Sequence, residues 1–559
     1  MFKKNFHILL LLTVIGLFLF QIFLQFKLAK LDGQIIDEAP HISAGYTYLA
    51  KGDYRFNPEH PPLVKYTAGL GLLAAKPHVP NSDHAWGAAG HFYIDAYGPA
   101  SNYGQEMLYT SGNDANDVLF AARIGPVVLT LILGLLILFT AIYFWGWWAG
   151  LVAYALYTLD PLIAGHGHLV TTDVGASIGY LTTVIGLWYL ITKQNYKSAI
   201  IFGILFGIAQ LMKFTLLMLI PLVIGTVIYL IRKNKTDRKA NNRIFVLAIT
   251  AMVVTFITIW AGYGFHRSTL PFDTGFSDAG QAISQPSNGA LRQMYNFPKL
   301  FSWIPLPYDY IRGAAMVLNH TGGGHPSYLL GQHSTTGWKY YFPLLIIVKT
   351  PIPELILIIS ALVILIRKKL LKGFAAFAAL AAAWYMVVAI ISPANLGLRH
   401  IMPVYPLLFL ITGYWVSISG KKIKYLATAL IVILGLLMAY AYPFYLSYFN
   451  QLAGGSYNGY KIATDSNLDW GGDLKYIKSY VDNHPSTSYY VMYNWDSEEA
   501  LDYYDIARRP TDQIGSDSNG MLIIGASTLQ SPNWMWVKEH KLVDQITPGV
   551  LVYNLDEQK

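Results

Sequence analysis

The stretch DEAPHISAGYTYLAKGDYRFNPEHPPLVK, residues 37–65, follows one long apolar segment and precedes a chain that is mostly apolar. It carries an adjacent acid pair, Asp37-Glu38, then Glu59-His60, the rigid Pro61-Pro62, and Lys65. Carboxylates in such a loop can take a proton from a nucleophile, and cations beside them can hold a phosphate. The expectation is that the rest of the chain holds this loop at a membrane surface.

Composition sets the frame. The 559 residues are 54% hydrophobic and 13% charged, where a soluble domain carries about 25% charge; an integral membrane protein is expected. The 14 Trp and 40 Tyr suit lipid interfaces. The net charge of +8 is what basic cytoplasmic links produce, and no basic patch interleaved with aromatics points to nucleic acid. The chain has no Cys, which excludes disulfides and thiolate metal sites. The basic start and apolar run of MFKKNFHILLLLTVIGLFLFQIFLQF, with no small-residue cleavage site, read as an uncleaved first span.

Outward from the quoted loop, the pattern predicts an α-helical polytopic protein of about 11–13 spans. The first covers about 7–27. Two short helices at the membrane face follow, from PHISAGYTYLAKG and from HPPLVKYTAGLGLLAA, the second opened by prolines. Further spans fall at about 118–143, up to Asp160, and at 174–192, 198–212, 214–231, 243–262, 341–366, to Ser392, from Pro403, and at 425–443. The basic links Lys193–Lys197, Arg232–Arg243, Arg367–Lys372 and Lys421–Lys424 all fall on one side, which the positive-inside rule makes cytoplasmic. The polar insertions 28–117, 161–173 and 263–340 then face outward, with the turn at Arg399. Residues 1–446 are read as the membrane domain and 447–559 as an outer α/β domain, with buried strands at YYVMYN, MLIIGAS and VLVYNL.

Each charged residue also has an ordinary reading. Asp37, Glu38 and Asp173 all fit helix N-termini, where acids are common. Arg123 and Lys349 fit snorkelling cations near a membrane face. Arg399-His400, at the mouth of a span, fits a phosphate site. Glu59 with His320, His325 and His333 offers a divalent metal site, at a spacing that matches no standard zinc pattern. No cofactor is otherwise called for, and the chain has no phosphate-binding G-x-x-x-x-G-K-[ST] loop.

Taken together, these stretches resemble glycosyltransferase family 39. A first span, Asp37-Glu38, a short helix and His60-Pro61-Pro62-Leu63-Val64-Lys65 stand in that order, followed by AARIGPVVLTLILG and LVTTDVGAS. The family includes the protein O-mannosyltransferases, with the lipid A aminoarabinose transferases as relatives. GHPSYLLGQHSTTGWKYYFPLLIIVKTPIPEL and YFNQLAGGSYNGYKIATDSNLDWGGDL resemble a lipid-carrier-dependent subgroup. The resemblance covers most of residues 1–475. It implies a GT-C fold in the cell membrane and a polyprenyl-phosphate sugar as donor. The acceptor it implies is a lipid, a cell-surface glycan or a protein. It implies Asp37 as general base, Glu38, Asp173 and Glu59 toward acceptor or sugar, and His60, Lys65, Arg123, Arg399 and His400 toward the donor phosphate. Glu59-His60 stands where the aminoarabinose group has Glu-Lys, which leaves open whether residue 60 meets phosphate, a metal or neither. A transporter or lipid flippase is the alternative, and a receptor or scaffold role for the tail is a further one.

Overall fold

A computed structural model describes residues 2–80, 97–234, 237–266, 305–493, 498–511 and 514–559. Residues 81–96 and 267–304, the second including Trp303, lie within the expected outer insertions 28–117 and 263–340 and outside the described residues. The helices in chain order are α1 (Phe2–Leu31), α2 (Glu38–Lys51), α3 (Pro62–Ala75), α4 (Tyr97–Gln105), α5 (Ala115–Trp145), α6 (Trp147–Thr158), α7 (Pro161–His166) and α8 (Asp173–Lys193). They continue with α9 (Tyr196–Met212), α10 (Leu219–Lys233), α11 (Arg238–Gly262), α12 (Tyr308–Gly323), α13 (Tyr341–Lys349), α14 (Ile352–Arg367), α15 (Gly373–Ile391), α16 (Val404–Ile418) and α17 (Lys421–Ala441).

The chain is a multi-pass membrane protein. Seven helical segments among the described residues are long and apolar enough to cross a membrane, and Tyr196–Met212 and Val404–Ile418 are shorter apolar helices. Each span expected from hydropathy is helical, but not all are continuous. The span expected up to Asp160 is α6, and a short helix, α7, follows Asp160-Pro161 within the expected polar insertion 161–173; the 341–366 span breaks between α13 and α14 at Thr350-Pro351. Proline explains the break before α7 and the one before α14, because its ring cannot continue the preceding helix. Along α1, Leu24 and Leu28 are buried against the bundle while Leu12, Leu19 and Phe23 stay exposed, as a lipid-facing surface requires.

The two short helices expected after the first span are α2 and α3. They pack against each other through glycines: a Cβ at Gly45 would lie 2.4 Å from the Lys65 carbonyl oxygen, and one at Gly69 would lie 2.2 Å from that of Gly45. Only glycine allows this approach.

The tail holds a four-stranded sheet in the order β3-β4-β6-β5. Its strands are β3 (Tyr489–Met492), β4 (Met521–Gly525), β5 (His540–Thr547) and β6 (Val550–Gln558), with β1 (Ser327–Leu329) and β2 (Gln332–Ser334) forming a separate hairpin. β3 and β4 run parallel, Tyr489 opposite Met521, and the other pairs are antiparallel. The three expected strands are β3, β4 and β6; β5, broken by register shifts, lacked a continuous apolar run. α18 (Leu474–Asn483) covers the sheet with Leu474, Ile477 and Val481 buried.

The chain beyond the expected boundary at residue 447 bonds back to the helical part. Residues 447–472 thread through the helical part. The Asn450 amide nitrogen donates to the carbonyls of Ile347 and Thr350, filling the break after α13. Gly33 N–H donates to Gly472 O at 2.9 Å and Ile36 N–H to Trp470 O at 3.0 Å. The tail therefore fixes the loop that leads into Asp37.

Candidate active site

Asp37 occupies the N-cap of α2, yet its carboxylate makes no capping hydrogen bond. It faces Arg399, whose Nη2 lies 3.5 Å from Asp37 Oδ2. Arg399 Nη1 lies 3.3 Å from Asp173 Oδ2, and Lys213 Nζ lies 2.5 Å from Asp173 Oδ1. Asp173, the first residue of α8, is buried. Arg399 Nε donates to Ser466 Oγ at 2.9 Å, and its guanidinium lies over the Trp470 ring at 4.1 Å. The loop turn, the bundle and the tail thus meet at one arginine.

The electrostatics follow from that meeting. Burial pushes the Asp37 carboxyl up to about 6; Arg399 opposes the shift, while Asp465 and Asp173 add to it. Asp465 holds a left-handed φ of 62°, which Asp tolerates better than most residues. A carboxylate with this value is ionised at neutral pH and basic enough to accept a proton usefully.

A second layer supports the first. Arg123 and Glu38 are fully buried and joined by two bonds, Nε to Oε1 at 2.8 Å and Nη2 to Oε2 at 2.6 Å. The remaining guanidinium N–H groups donate to the carbonyls of Ala29, Asp32 and Gly33. Glu38 also accepts from Ile35 N–H at 3.0 Å and Val170 N–H at 3.1 Å. All five N–H groups of Arg123 are committed. It neither snorkels nor presents a donor to a phosphate, and Glu38 presents no free oxygen edge to a sugar. The pair ties the end of α1, the Asp37 turn and the 170–173 loop into one unit.

Lys65 is likewise buried. Its Nζ donates to the Asn57 carbonyl at 2.6 Å, the His60 carbonyl at 2.7 Å and the Tyr48 hydroxyl at 2.7 Å. An ammonium has three N–H groups, so Lys65 staples the Glu59-His60-Pro61-Pro62 loop and does not reach outward. The His60 and His41 rings lie 4.9 Å apart, and burial drives both imidazoles well below their ordinary range; both are neutral. The Nδ1 atoms of both are buried without a partner among the described residues. His400 Nε2 is in the same state, so His60 and His400 remain available to a ligand.

Glu59 Oε1 pairs with His320 Nδ1 at 2.6 Å, and that hydrogen bond raises the imidazole above its usual value. The His325 ring lies 5.8 Å from that of His320, and its Nδ1 meets the Pro326 carbonyl at 2.9 Å. His333 packs instead on Tyr328. No group of three or more His, Cys, Asp or Glu side chains gathers among the described residues, so the metal set weighed from the sequence is not assembled.

Sequence reasoning missed Lys213, Asp465, Ser466 and Trp470 as members of this site. Lys213 had a signal: a lone cation between two apolar runs, on the same side as Asp37. Lys349, expected to snorkel, is buried and donates to the carbonyls of Leu446 at 3.0 Å and Asn467 at 2.5 Å.

Comparison with known proteins agrees with the class read from the motifs. Residues 115–261 match the family described as dolichyl-phosphate-mannose-protein mannosyltransferase. The match falls on α5 to α11, away from the loop that first suggested it, and bears out the relationship to those transferases. No match was found among curated proteins. Among solved structures, ArnT from Cupriavidus metallidurans bound to undecaprenyl phosphate is 13% identical, with a TM-score of 0.47, over 99% of this chain and 98% of that one. The archaeal oligosaccharyltransferase AglB from Archaeoglobus fulgidus, in complex with an inhibitory peptide and a dolichol-phosphate, is 11% identical, with a TM-score of 0.45, over 96% of this chain and 73% of that one.

Proposed function

We propose that this protein is an inverting glycosyltransferase of the GT-C type that moves a sugar from a polyprenyl-phosphate carrier to a hydroxyl acceptor at the outer face of the cell membrane. The observation that carries the reading is the unused Asp37 carboxylate, raised to about 6, facing Arg399 beside the Asp173–Lys213 pair. The description of the matched family, which names a dolichyl-phosphate mannose, supports the donor class. The side follows from the basic links, which put the Asp37 loop opposite the cytoplasm.

In this mechanism Asp37 accepts the proton of the acceptor hydroxyl. The acceptor oxygen forms a bond to the sugar C1 as the C1–O bond to the lipid phosphate breaks, which inverts the anomeric centre. The electron pair of that bond leaves on the phosphate, where Arg399 neutralises the growing charge, with His60 and His400 as further donors once they carry a hydrogen toward the ligand. Asp173, held by Lys213 and Arg399, orients the sugar or the acceptor. Glu38, Arg123 and Lys65 act as positioning residues, in place of the direct contacts that the family resemblance implied.

The test is transfer of label from polyprenyl-phosphate [³H]mannose to cell-envelope extract by purified wild type and Asp37→Asn. Transfer by wild type and its loss in the variant support the reading; equal turnover by both removes Asp37 as the base. One observation favours the transporter alternative: Asp160 and Glu354 are both buried at the two helix breaks, and both Glu354 carboxyl oxygens lack a hydrogen-bond partner among the described residues. Ionisable groups inside a bundle are typical of transport paths. Label that crosses sealed vesicles without being transferred would establish that alternative.

A further inference from the structure

Trp470 belongs to two places at once. Beside Arg399 it is part of the Asp37 site, and it also lines a narrow, half-open cleft between the end of α1, the 165–168 turn and the tail. The polar lining of this cleft includes Asp32, His168, Asp473 and Tyr476, with the Tyr445 and Ser447 hydroxyls donating to backbone carbonyls, and its aromatic lining includes Phe444 beside Trp470. It opens where α1 ends and where the chain leaves α17 at Pro443, the level of the membrane boundary.

Two features of the lining point to a ligand. First, polar groups are left without partners among the described residues: the Tyr476 hydroxyl and His168 Nδ1, although the His168 side chain is fully buried and its Nε2 meets Asp32 Oδ2 at 2.9 Å. Buried polar atoms are seldom left bare without a reason. Second, the lining holds acids and no Lys or Arg. The acids are Asp32 and Asp473; burial pushes Asp473 up to about 7, and its carboxyl still accepts from the Tyr493 hydroxyl at 2.9 Å. Lys475, the nearby cation, does not line the cleft; its Nζ donates to the backbone carbonyl of Lys30 at 3.0 Å. Acceptor oxygens and aromatic rings around a narrow space suit a ligand with several O–H donors and an apolar face, and repel a phosphate.

We infer that the cleft shared by Trp470, Asp32, Asp473, His168 and Tyr476 is a subsite for the polyhydroxylated, non-anionic part of the acceptor, separate from the phosphate-binding side of Trp470. The label "acceptor" rests on the transferase reading; the binding of a polyol does not. The same chemistry is presented by a glycolipid headgroup and by the end of a soluble glycan.

The test is saturation-transfer NMR on the full chain in phosphatidylcholine nanodiscs, with mannobiose as the neutral probe and mannose 6-phosphate as the anionic one. Mannobiose is expected to bind and to lose roughly tenfold in affinity in Asp473→Asn, as the loss of one buried hydrogen bond produces. Tyr476→Phe keeps the ring and its packing, and a smaller loss is expected there; it serves if Asp473→Asn fails to fold. Asp37→Asn is expected to leave mannobiose binding unchanged. Competition by nanodiscs doped with a glycosylated diacylglycerol assigns the source as a headgroup, and its absence assigns a soluble glycan. Absence of mannobiose binding, binding indifferent to both cleft variants, or preference for mannose 6-phosphate overturns the inference. Because no turnover is measured, none of these outcomes depends on whether label transfer succeeds.

Discussion

The position of the acidic limb of activity is the most direct consequence of the charges around Asp37. A base with a value of about 6 is about 90% ionised at pH 7 and about 10% ionised at pH 5. In the proposed mechanism the ionised form takes the proton, so kcat/KM is expected to fall about tenfold between those values, the limb reporting the free enzyme. The neighbours give the limb a direction that can be reversed. Removing a positive neighbour disfavours the carboxylate, so Arg399→Gln should move the limb to higher pH; removing a negative one favours it, so Asp465→Asn should move it lower. At the observed 3.5 Å, Coulomb's law with an effective dielectric near 20 gives about 5 kcal/mol, over three pH units, as a ceiling. Both side chains are partly open to water, 11% for Arg399 and 22% for Asp37, so a shift of about one unit is expected. Asn tolerates the left-handed backbone of residue 465 as Asp does, so that variant should keep its fold. The assay is label transfer from polyprenyl-phosphate mannose between pH 4.5 and 8, fitted for the midpoint and not for the maximum. Limbs that stay fixed, or move in the same direction in both variants, would refute Asp37 as the group that titrates.

The other predictions concern the supports. Arg123→Met leaves Glu38 buried and unpaired, which costs about 3–5 kcal/mol; a clear fall in the unfolding temperature in detergent, with Glu38→Gln falling too, is the expected result. Lys213→Met leaves the buried Asp173 with Arg399 alone, 3.3 Å away; it is expected to lower kcat by about tenfold to a hundredfold, measured by transfer kinetics, and to lower the unfolding temperature less than Arg123→Met does. Lys65→Met strands the carbonyls of Asn57 and His60, at about 1–3 kcal/mol for each buried acceptor left bare; faster proteolysis within residues 52–61 should report it, and an unchanged digestion pattern would show that the loop stands without its staple.

Much of this architecture is legible because membrane spans obey a one-dimensional rule. Apolar length and basic links place the long helices of the bundle, including the one that proline later breaks, but not α4, α7 and α12, which lie in stretches that read as polar outer loops. The loop of residues 37–65 is legible for a different reason: its acids, histidine and prolines are unusual between apolar segments. Partners are not legible. Glu38 and Arg123 lie 85 positions apart and nothing in either local sequence says that they spend themselves on each other. The charge of Lys65 is visible in the sequence, but not the three oxygens that absorb it. The tail motif TDSNLDW has no periodicity to connect it with a helix bundle, so Ser466 and Trp470 read as part of a separate domain until the chain is seen to pass back through the break after α13.

That return passage has a consequence for synthesis. The Asp37 turn emerges among the first residues from the ribosome, yet the strand-like bonds that fix it, Gly33 to Gly472 and Ile36 to Trp470, wait for the last part of the polypeptide. A nascent chain with every membrane helix inserted still lacks the stack on Arg399 and the anchor for the Asp37 turn. Under the proposed function, activity therefore arises late and all at once in biogenesis, and a product truncated before Trp470 should sit in the bilayer as a silent fragment.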